Sequence, residues 1–331
     1  MREFVSLADL SRDEIEGLLA LARELEKQPI NDSLKGRVLA LLFMNPSLRT
    51  LASFQAGMAQ LGGSSFVIQP GAGSWNLELQ DGAVMDAGNQ EHIKDAIPVL
   101  AGYADALAVR CFAAAKSLKD DLEDGLIRRM AELSPKPFIN MESANDHPCQ
   151  ALADWKTLDD LNLPRDGKFV LSWAWHPRPL PYAVPASTAQ MAVLRGMDLT
   201  VCAPEGFDLP EGVLTDLRAR GSVTISRDPV EACAGAHAVF AKSWYAPSFY
   251  GDAESEAIGR AGLRSWCCKE SWFEKAAPEA VFMHCLPVRR NVEVEDAVID
   301  GPRSATLREA GNRLHAQKAV LMSLMGGGDG D

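Results

Sequence analysis

The spacing of apolar residues predicts a strand, a turn and a helix near the start of the chain. Residues 37–43 form a short, nearly unbroken apolar run, which is typical of a buried parallel strand. Leu51, Phe54, Met58 and Leu61 then recur at intervals of three and four residues, as on one face of a helix. The segment 47–50 is therefore predicted to form the turn that opens this helix.

The same alternation continues through the chain and predicts an α/β fold with two doubly wound parallel sheets. Ser11 and Glu14 form a capping-box pattern before a first helix, and residues 69–90 are predicted to be a long loop. Helical patterns cover 120–133, a segment from about 148, and 312–325, and a disordered tail is expected at 326–331. Strands are predicted at 65–68, 105–109, 137–141, 168–173, 199–202, 223–226, 238–241 and 280–283.

Composition bounds the class of protein. A chain of 331 residues with 47% apolar content is long enough for about two domains. A net charge of −12 argues against a nucleic-acid-binding protein, and no apolar run reaches membrane-spanning length. The N-terminus has no signal-peptide pattern, and an odd count of seven cysteines favours a reducing cytoplasm.

The turn of Ser47, Leu48, Arg49 and Thr50 has the chemistry of an anion site. Backbone N–H groups at a helix N-terminus, two hydroxyls and a guanidinium all suit phosphate oxygens. The alternative is an ordinary serine-capped helix start. Because parallel strands end at one edge of a sheet, Arg49, Arg110 and Glu142 are predicted to lie near one another there.

Two further motifs follow: His147-Pro148-Cys149-Gln150 and His284-Cys285-Leu286-Pro287. With Ser47–Thr50 they form an ordered trio that resembles the aspartate/ornithine carbamoyltransferase family over nearly the whole chain. Several segments resemble its N-acylornithine branch, among them Gly-Ser-Trp75, the proline-rich segment 176–181 and Ala241-Lys242-Ser243-Trp244. The Asp and Ser-Met-Gly pattern of plain ornithine enzymes is absent, which favours a blocked α-amine.

The resemblance implies attack of an amine on the carbonyl carbon of carbamoyl phosphate, with phosphate as leaving group and no metal or organic cofactor. It implies a catalytic set of Arg49, Thr50, Arg110, His147, Gln150 and Cys285. The implied carbamoyl-phosphate-binding residues are Ser47, Leu48, Arg49, Thr50, Trp75, Arg110, His147, Gln150, Cys285, Leu286 and Arg313. Those implied for N-acylornithine are Gln90, Phe112, Glu142, His176, Lys242 and Arg289.

The resemblance also implies an organisation. Residues 1–147 would bind carbamoyl phosphate, with a helix at 308–325 packing back on them, and 148–307 would bind N-acylornithine. The family is trimeric, so Trp75 would reach the site of a neighbouring subunit. A knotted crossing near 176–185 is implied as well. None of these features follows from composition or periodicity.

Three residues depart from the family pattern. Leu51 replaces the second arginine of Ser-x-Arg-Thr-Arg, which is interpreted as repacked support or, alternatively, loss of activity. Gln90 stands where acetylornithine enzymes carry Glu and succinylornithine enzymes carry Pro, and Glu293 stands where some acetyl-specific relatives carry a carboxylated lysine. The sequence favours N-acetylornithine, with N-succinylornithine as the alternative acceptor.

Two other classes stay open from the sequence. His147, Cys149, His284 and Cys285 could supply zinc ligands, although adjacent residues rarely both ligate one ion because their side chains point apart. The other class is a non-catalytic relative that binds metabolites, which is suggested by Leu51 in place of the family's second arginine.

Overall fold

The computed structural model describes residues 1–326. The tail predicted at 326–331 therefore lies, apart from Gly326, outside the described residues. None of the helices within 1–326 is long and apolar enough to cross a membrane.

Strands and helices alternate along the chain. The strands are β1 (Glu3–Phe4), β2 (Val38–Phe43), β3 (Ser64–Ile68), β4 (Leu77–Glu78), β5 (Glu91–His92), β6 (Ala106–Arg110), β7 (Phe138–Glu142), β8 (Lys168–Trp173), β9 (Asp198–Cys202), β10 (Val223–Ser226), β11 (Ala236–Lys242) and β12 (Val281–Met283). The helices are α1 (Arg12–Lys27), α2 (Leu48–Gln60), α3 (Ile93–Gly102), α4 (Leu118–Leu122), α5 (Gly125–Leu133), α6 (Pro148–Asp160), α7 (Ala183–Arg195), α8 (Glu211–Arg218), α9 (Pro229–Cys233), α10 (Ala253–Ala261), α11 (Asp296–Ile299) and α12 (Thr306–Met325).

The chain divides into two compact units. The first comprises Met1–Ala113, Glu123–Cys149 and the chain from Arg313 onward, and the second comprises Ala114–Leu122 and Gln150–Asn312. Both are α/β units with parallel sheets, so the predicted fold class is confirmed. The assignment of one ligand to each domain stays a prediction, as does the knotted crossing.

The sheet of the first unit has the strand order β1-β7-β6-β2-β3, with every pair parallel. Leu39, Leu41 and Leu42 of β2 are fully buried, and each contributes about 2 kcal/mol through burial. The register places Phe43 opposite Arg110 and Arg110 opposite Glu142. The carboxyl ends of β2, β6 and β7 therefore lie side by side, as the sequence predicted.

The second sheet has the order β10-β9-β8-β11-β12, also parallel throughout. A buried ion pair between Arg260 and Glu256 supports its carboxyl edge. The Arg260 guanidinium donates hydrogen bonds to the backbone carbonyls of His176, Arg178 and Trp244. One buried arginine thus fixes the backbone of the proline-rich segment beside the residues that follow β11.

Most of the predicted elements are present, with bounds within two residues of those predicted. The predicted capping box of Ser11 and Glu14 is present as well. Three expectations need correction. The pattern at 120–133 is two helices, because Asp124 adopts a left-handed conformation (φ 53°) between them. Helix α12 begins at Thr306, earlier than the apolar pattern predicted. The pattern does not extend over its first turns because they bury the polar side chains of Glu309 and Asn312. The stretch 69–90 contains the short strand β4.

Candidate active site

The predicted turn before α2 is present in the first unit. Strand β2 ends at Phe43 and α2 begins at Leu48, with Ser47 as the N-cap. The Ser47 hydroxyl accepts a hydrogen bond from the Thr50 N–H at 3.4 Å and donates to Thr50 Oγ1 at 3.0 Å. Thr50 is fully buried, whereas Leu48 is 80% exposed. The local geometry suits an anion at the helix N-terminus as well as an ordinary cap.

Arg313 brings a distant cation to this turn. It lies on α12, is 3% exposed, and donates from Nη2 to Thr50 Oγ1 at 2.9 Å. Arg49, in the first turn of α2, is half-buried. Two guanidinium groups and the helix N-terminus therefore concentrate positive charge locally in an acidic chain.

Glu142, the last residue of β7, contacts both Arg110 at the end of β6 and His147. Its Oε2 accepts a hydrogen bond from Arg110 Nη1 and lies 3.2 Å from His147 Nε2. All three side chains are buried, and the Arg110 guanidinium lies 4.5 Å from the centre of the Phe112 ring. Glu142, predicted from the resemblance to bind N-acylornithine, thus contacts two residues predicted for carbamoyl phosphate.

Arg110 also has a donor that could serve a ligand. Its Nε is buried and has no hydrogen-bond partner in the described part of the chain. A buried N–H of this kind costs free energy unless something accepts from it. A bound anion or carbonyl oxygen would supply that acceptor.

The second unit contains a buried polar cluster around Gln150. Its Nε2 donates to Asp154 Oδ1 at 2.7 Å and to Glu309 Oε1 at 2.8 Å. Glu309 Oε2 accepts from the His284 backbone N–H at 2.9 Å. The sequence reasoning missed Asp154 and Glu309. Each lies one helical turn from a motif residue, Gln150 or Arg313, and that spacing is the signal that could have found them.

The segment after β12 has a tightly defined backbone. His284 Nδ1 accepts a hydrogen bond from the Leu286 N–H at 2.9 Å, so that nitrogen carries no proton. Leu286 adopts φ 52°, a conformation that costs a non-glycine residue energy and is often found at functional sites. Cys285, between them, is 7% exposed.

Glu293 contacts two residues of the segment that follows β12. Its Oε2 accepts from the Arg289 backbone N–H at 2.8 Å, and its Oε1 lies 3.8 Å from His284 Nε2. Burial raises the pKa of Glu293, but His284, the charge of Lys242 and the Arg289 N–H outweigh burial and lower this pKa to about 2. Glu293 is therefore an anion throughout the physiological range, as a carboxylated lysine would be.

The structure brings together three residues predicted for the acyl-amino-acid side. His176 Nδ1 donates to the Arg178 carbonyl at 2.7 Å, and His176 Nε2 accepts from Arg289 Nε at 2.9 Å. This pattern requires the neutral ring, and burial indeed lowers the pKa of His176. Lys242, the last residue of β11, contributes its charge to the same region through Glu293.

Trp75 and Gln90 lie elsewhere, on the exposed stretch after β3. Trp75 is 60% exposed and Gln90 is exposed as well.

Cys149 is fully buried, and burial raises its pKa to about 12, so it is a neutral thiol. Residues 1–326 contain no group of three or more His, Cys, Asp or Glu that could hold a metal ion.

Comparisons with known proteins show what the chain is similar to. The aspartate/ornithine carbamoyltransferase models match residues 2–160 with the carbamoyl-P binding domain and 183–324 with the Asp/Orn binding domain. The chain is 39% identical to N-acetylornithine carbamoyltransferase of Xanthomonas campestris over 98% of both chains. It is 34% identical to N-succinylornithine carbamoyltransferase of Bacteroides thetaiotaomicron over 99% of both.

A solved structure gives the same result. Acetylornithine transcarbamylase complexed with acetylcitrulline is 39% identical and has a TM-score of 0.94, covering 98% of this chain and 99% of that one. Similarity in sequence and structure thus extends over nearly the full length, and the chain belongs to the aspartate/ornithine carbamoyltransferase family.

Proposed function

We propose that this protein transfers the carbamoyl group of carbamoyl phosphate to the side-chain amine of N-acetyl-L-ornithine. The products would be N-acetyl-L-citrulline and phosphate, as a step of arginine biosynthesis. The observation that carries the proposal is the convergence of Arg313 and the N-terminus of α2 on Thr50, inside the segment that matches a carbamoyl-P binding domain.

The phosphate of carbamoyl phosphate would be held by the turn of residues 47–50. The backbone N–H groups at the N-terminus of α2 supply directional donors, while Arg49 and Arg313 supply charge. These groups also stabilise the charge that develops on phosphate as it leaves. The departing phosphate can accept the proton that the amine loses, so the reaction requires no separate base.

The carbonyl oxygen becomes more negative as the amine attacks. Arg110, His147 and Thr50 would donate to it, and Glu142 would hold the first two in place. The carbamoyl NH₂ needs acceptors, which Gln150 and the backbone around Cys285 and Leu286 would supply. Fixed donors and acceptors of this kind orient the carbonyl carbon for in-line attack.

The acceptor amino acid would be bound by residues of the second unit. Lys242 would pair with its α-carboxylate, and His176 with Arg289 would lie beside the acyl group. The relative with 39% identity is named for N-acetylornithine and the one with 34% for N-succinylornithine, which supports acetyl as the acyl group. Glu293, held as an anion, would take the place of the carboxylated lysine that some acetyl-specific relatives carry.

Leu51 fits an active enzyme. It is half-buried on α2, on the side of the helix that buries Phe54 and Met58. An apolar residue there supports the helix whose first turn would hold phosphate. We therefore propose that Leu51, in place of the family's second arginine, supports α2 by packing and that activity is retained.

The assembly and location are also proposals. A homotrimer would give the exposed Trp75 and Gln90 a neighbouring subunit's site to enter. The odd number of cysteines favours the cytoplasm. A knotted crossing is proposed for residues 176–185, where the backbone is fixed by Arg260.

The test is product formation from carbamoyl phosphate with N-acetyl-L-ornithine, N-succinyl-L-ornithine and L-ornithine in parallel. Turnover of N-acetyl-L-ornithine above the other two is the expected result. A preference for the succinyl substrate would transfer the proposal to the alternative acceptor, and turnover of free ornithine would contradict the branch assignment. No product with any substrate would contradict the proposed activity, and Leu51→Arg would then be the next variant to assay.

A further inference from the structure

Glu309 lies in the first turn of α12 and is fully buried. Its two carboxylate oxygens have different partners. Oε1 accepts from the side-chain amide of Gln150 at 2.8 Å, and Oε2 accepts from the backbone N–H of His284 at 2.9 Å. One carboxylate thus connects a side chain on α6 with the first residue after β12.

A second buried carboxylate contacts the same amide. Asp154, also fully buried, accepts from Gln150 Nε2 through Oδ1 at 2.7 Å. Both hydrogens of the amide are then committed to carboxylate oxygens. A reversed amide would place its oxygen against two carboxylate oxygens, so the orientation with NH₂ facing them is favoured. The Gln150 Oε1 atom is turned away from both carboxylates and is the acceptor on the other side of the amide.

The hydrogen bond from the His284 N–H to Glu309 Oε2 likewise fixes the position of the backbone after β12. His284 begins the His-Cys-Leu-Pro segment, and its Nδ1 accepts from the Leu286 N–H. Any displacement of the His284 backbone is therefore transmitted to Leu286. Leu286 already adopts an unfavourable φ of 52°, which persists only where the surroundings hold it.

We propose that Glu309 is a positioning residue for carbamoyl transfer, setting both the Gln150 amide and the backbone of residues 284–286. This inference rests on the proposed function, which assigns these two groups to the carbamoyl NH₂. The chemistry requires a carboxylate, because the Gln150 amide and the His284 N–H are both donors to Glu309. A glutamine would have a single acceptor oxygen, and its NH₂ would face one of the two donors.

The test compares Glu309→Gln with the wild-type protein in steady-state assays with carbamoyl phosphate and N-acetyl-L-ornithine. We expect kcat/KM for carbamoyl phosphate to fall by about tenfold to a hundredfold, because small misplacements of orienting groups have effects of this size. The KM for N-acetyl-L-ornithine should change little. The matched control is Asn312→Ala, which removes buried hydrogen bonds to Thr157 and Asp160 between the same two helices. It should lower stability and keep the wild-type kcat/KM.

Two further variants separate positioning from a structural role. In a Gln150→Ala background, Glu309→Gln should have a much smaller effect than in the wild type, because one of its targets is gone. Glu309→Asp retains both carboxylate oxygens but is too short to reach both donors, so an intermediate loss is expected even if Glu309→Gln does not fold.

The outcomes distinguish the two proposals. Wild-type kcat/KM in a folded Glu309→Gln or Glu309→Asp protein would overturn the positioning role and leave the proposed function intact. Equal losses in Asn312→Ala, or full additivity with Gln150→Ala, would also overturn it. No product from the wild-type protein would overturn the proposed function and this inference with it.

Discussion

Arg313 Nη2 donates to the hydroxyl of Thr50 at 2.9 Å, although the two residues are 263 positions apart in the sequence. Both side chains are buried. The Thr50 hydroxyl also accepts from Ser47, so one oxygen joins the N-cap of α2 to the last helix of the chain. The proposed phosphate site thus depends on the docking of the C-terminal segment within the first unit.

Replacing Thr50 with valine should disturb this arrangement without changing the side-chain shape. The Arg313 donor would lose its acceptor, which costs about 1–3 kcal/mol for a buried group. We expect a lower urea midpoint and a higher KM for carbamoyl phosphate. Thr157→Val is the control, because Thr157 is also a buried helical threonine and hydrogen-bonds Ala153 and Asn312 instead. An equal change of KM in both variants would contradict a specific role for Thr50.

Arg49→Ala should abolish most carbamoyl transfer while the protein stays folded. Loss of one preorganised charged donor typically lowers kcat by about a hundredfold to a thousandfold. Alanine is a better helix former than arginine, so α2 should be retained. Steady-state rates and circular dichroism are the measurements. Arg12→Ala, which removes an exposed arginine paired with Glu16 on α1, should leave both unchanged. Full activity of Arg49→Ala would refute its assignment to phosphate.

Gln90→Glu should change the choice of acyl group. The new carboxylate would repel a succinyl carboxylate and leave an acetyl group unaffected. Two like charges about 4 Å apart repel by about 1 kcal/mol even in water, so the ratio of N-acetyl- to N-succinylornithine turnover should rise about fivefold or more. Gln80→Glu places the same charge on the same exposed stretch and should keep the wild-type ratio. If both variants behave alike, Gln90 does not face the acyl group.

Glu293 should make stability depend on pH in the acid range. Its pKa is about 2 in the folded protein, against an ordinary value of 4.5, so the folded state favours the ionised form. The stabilisation, about 3 kcal/mol, is complete above pH 4.5 and is lost as the pH falls towards 2. Urea midpoints should therefore differ most between wild type and Glu293→Gln at neutral pH and converge as the pH falls towards 2.

The control for this prediction is Asp300→Asn. Asp300 forms an exposed ion pair with Arg290, and such pairs contribute little to stability. Its urea midpoint should follow the wild-type curve at every pH. A constant difference between wild type and Glu293→Gln across the acid range would contradict the low pKa.

The sequence determined every strand of the two five-stranded sheets except β1, and it determined helices α1, α2 and α6, because apolar periodicity is a local property that burial then enforces. It gave no signal for α3 or for α7 to α11. It also placed Arg49, Arg110 and Glu142 at neighbouring strand ends, since parallel strands finish at one edge of a sheet. The resemblance carried by three motifs was enough to identify the family, and full-length similarity confirmed it.

Only the tertiary structure decided which polar groups contact one another. Glu142 could pair with Arg110 and His147 only after β6, β7 and the turn before α6 had come together. Gln150 and Glu309 are separated by 159 positions, and the split at Asp124 depends on hydrogen bonds from residues 143–145. Hydrogen bonds are short-ranged and directional, so their partners are set by the packed backbone and leave no periodic signal in the sequence.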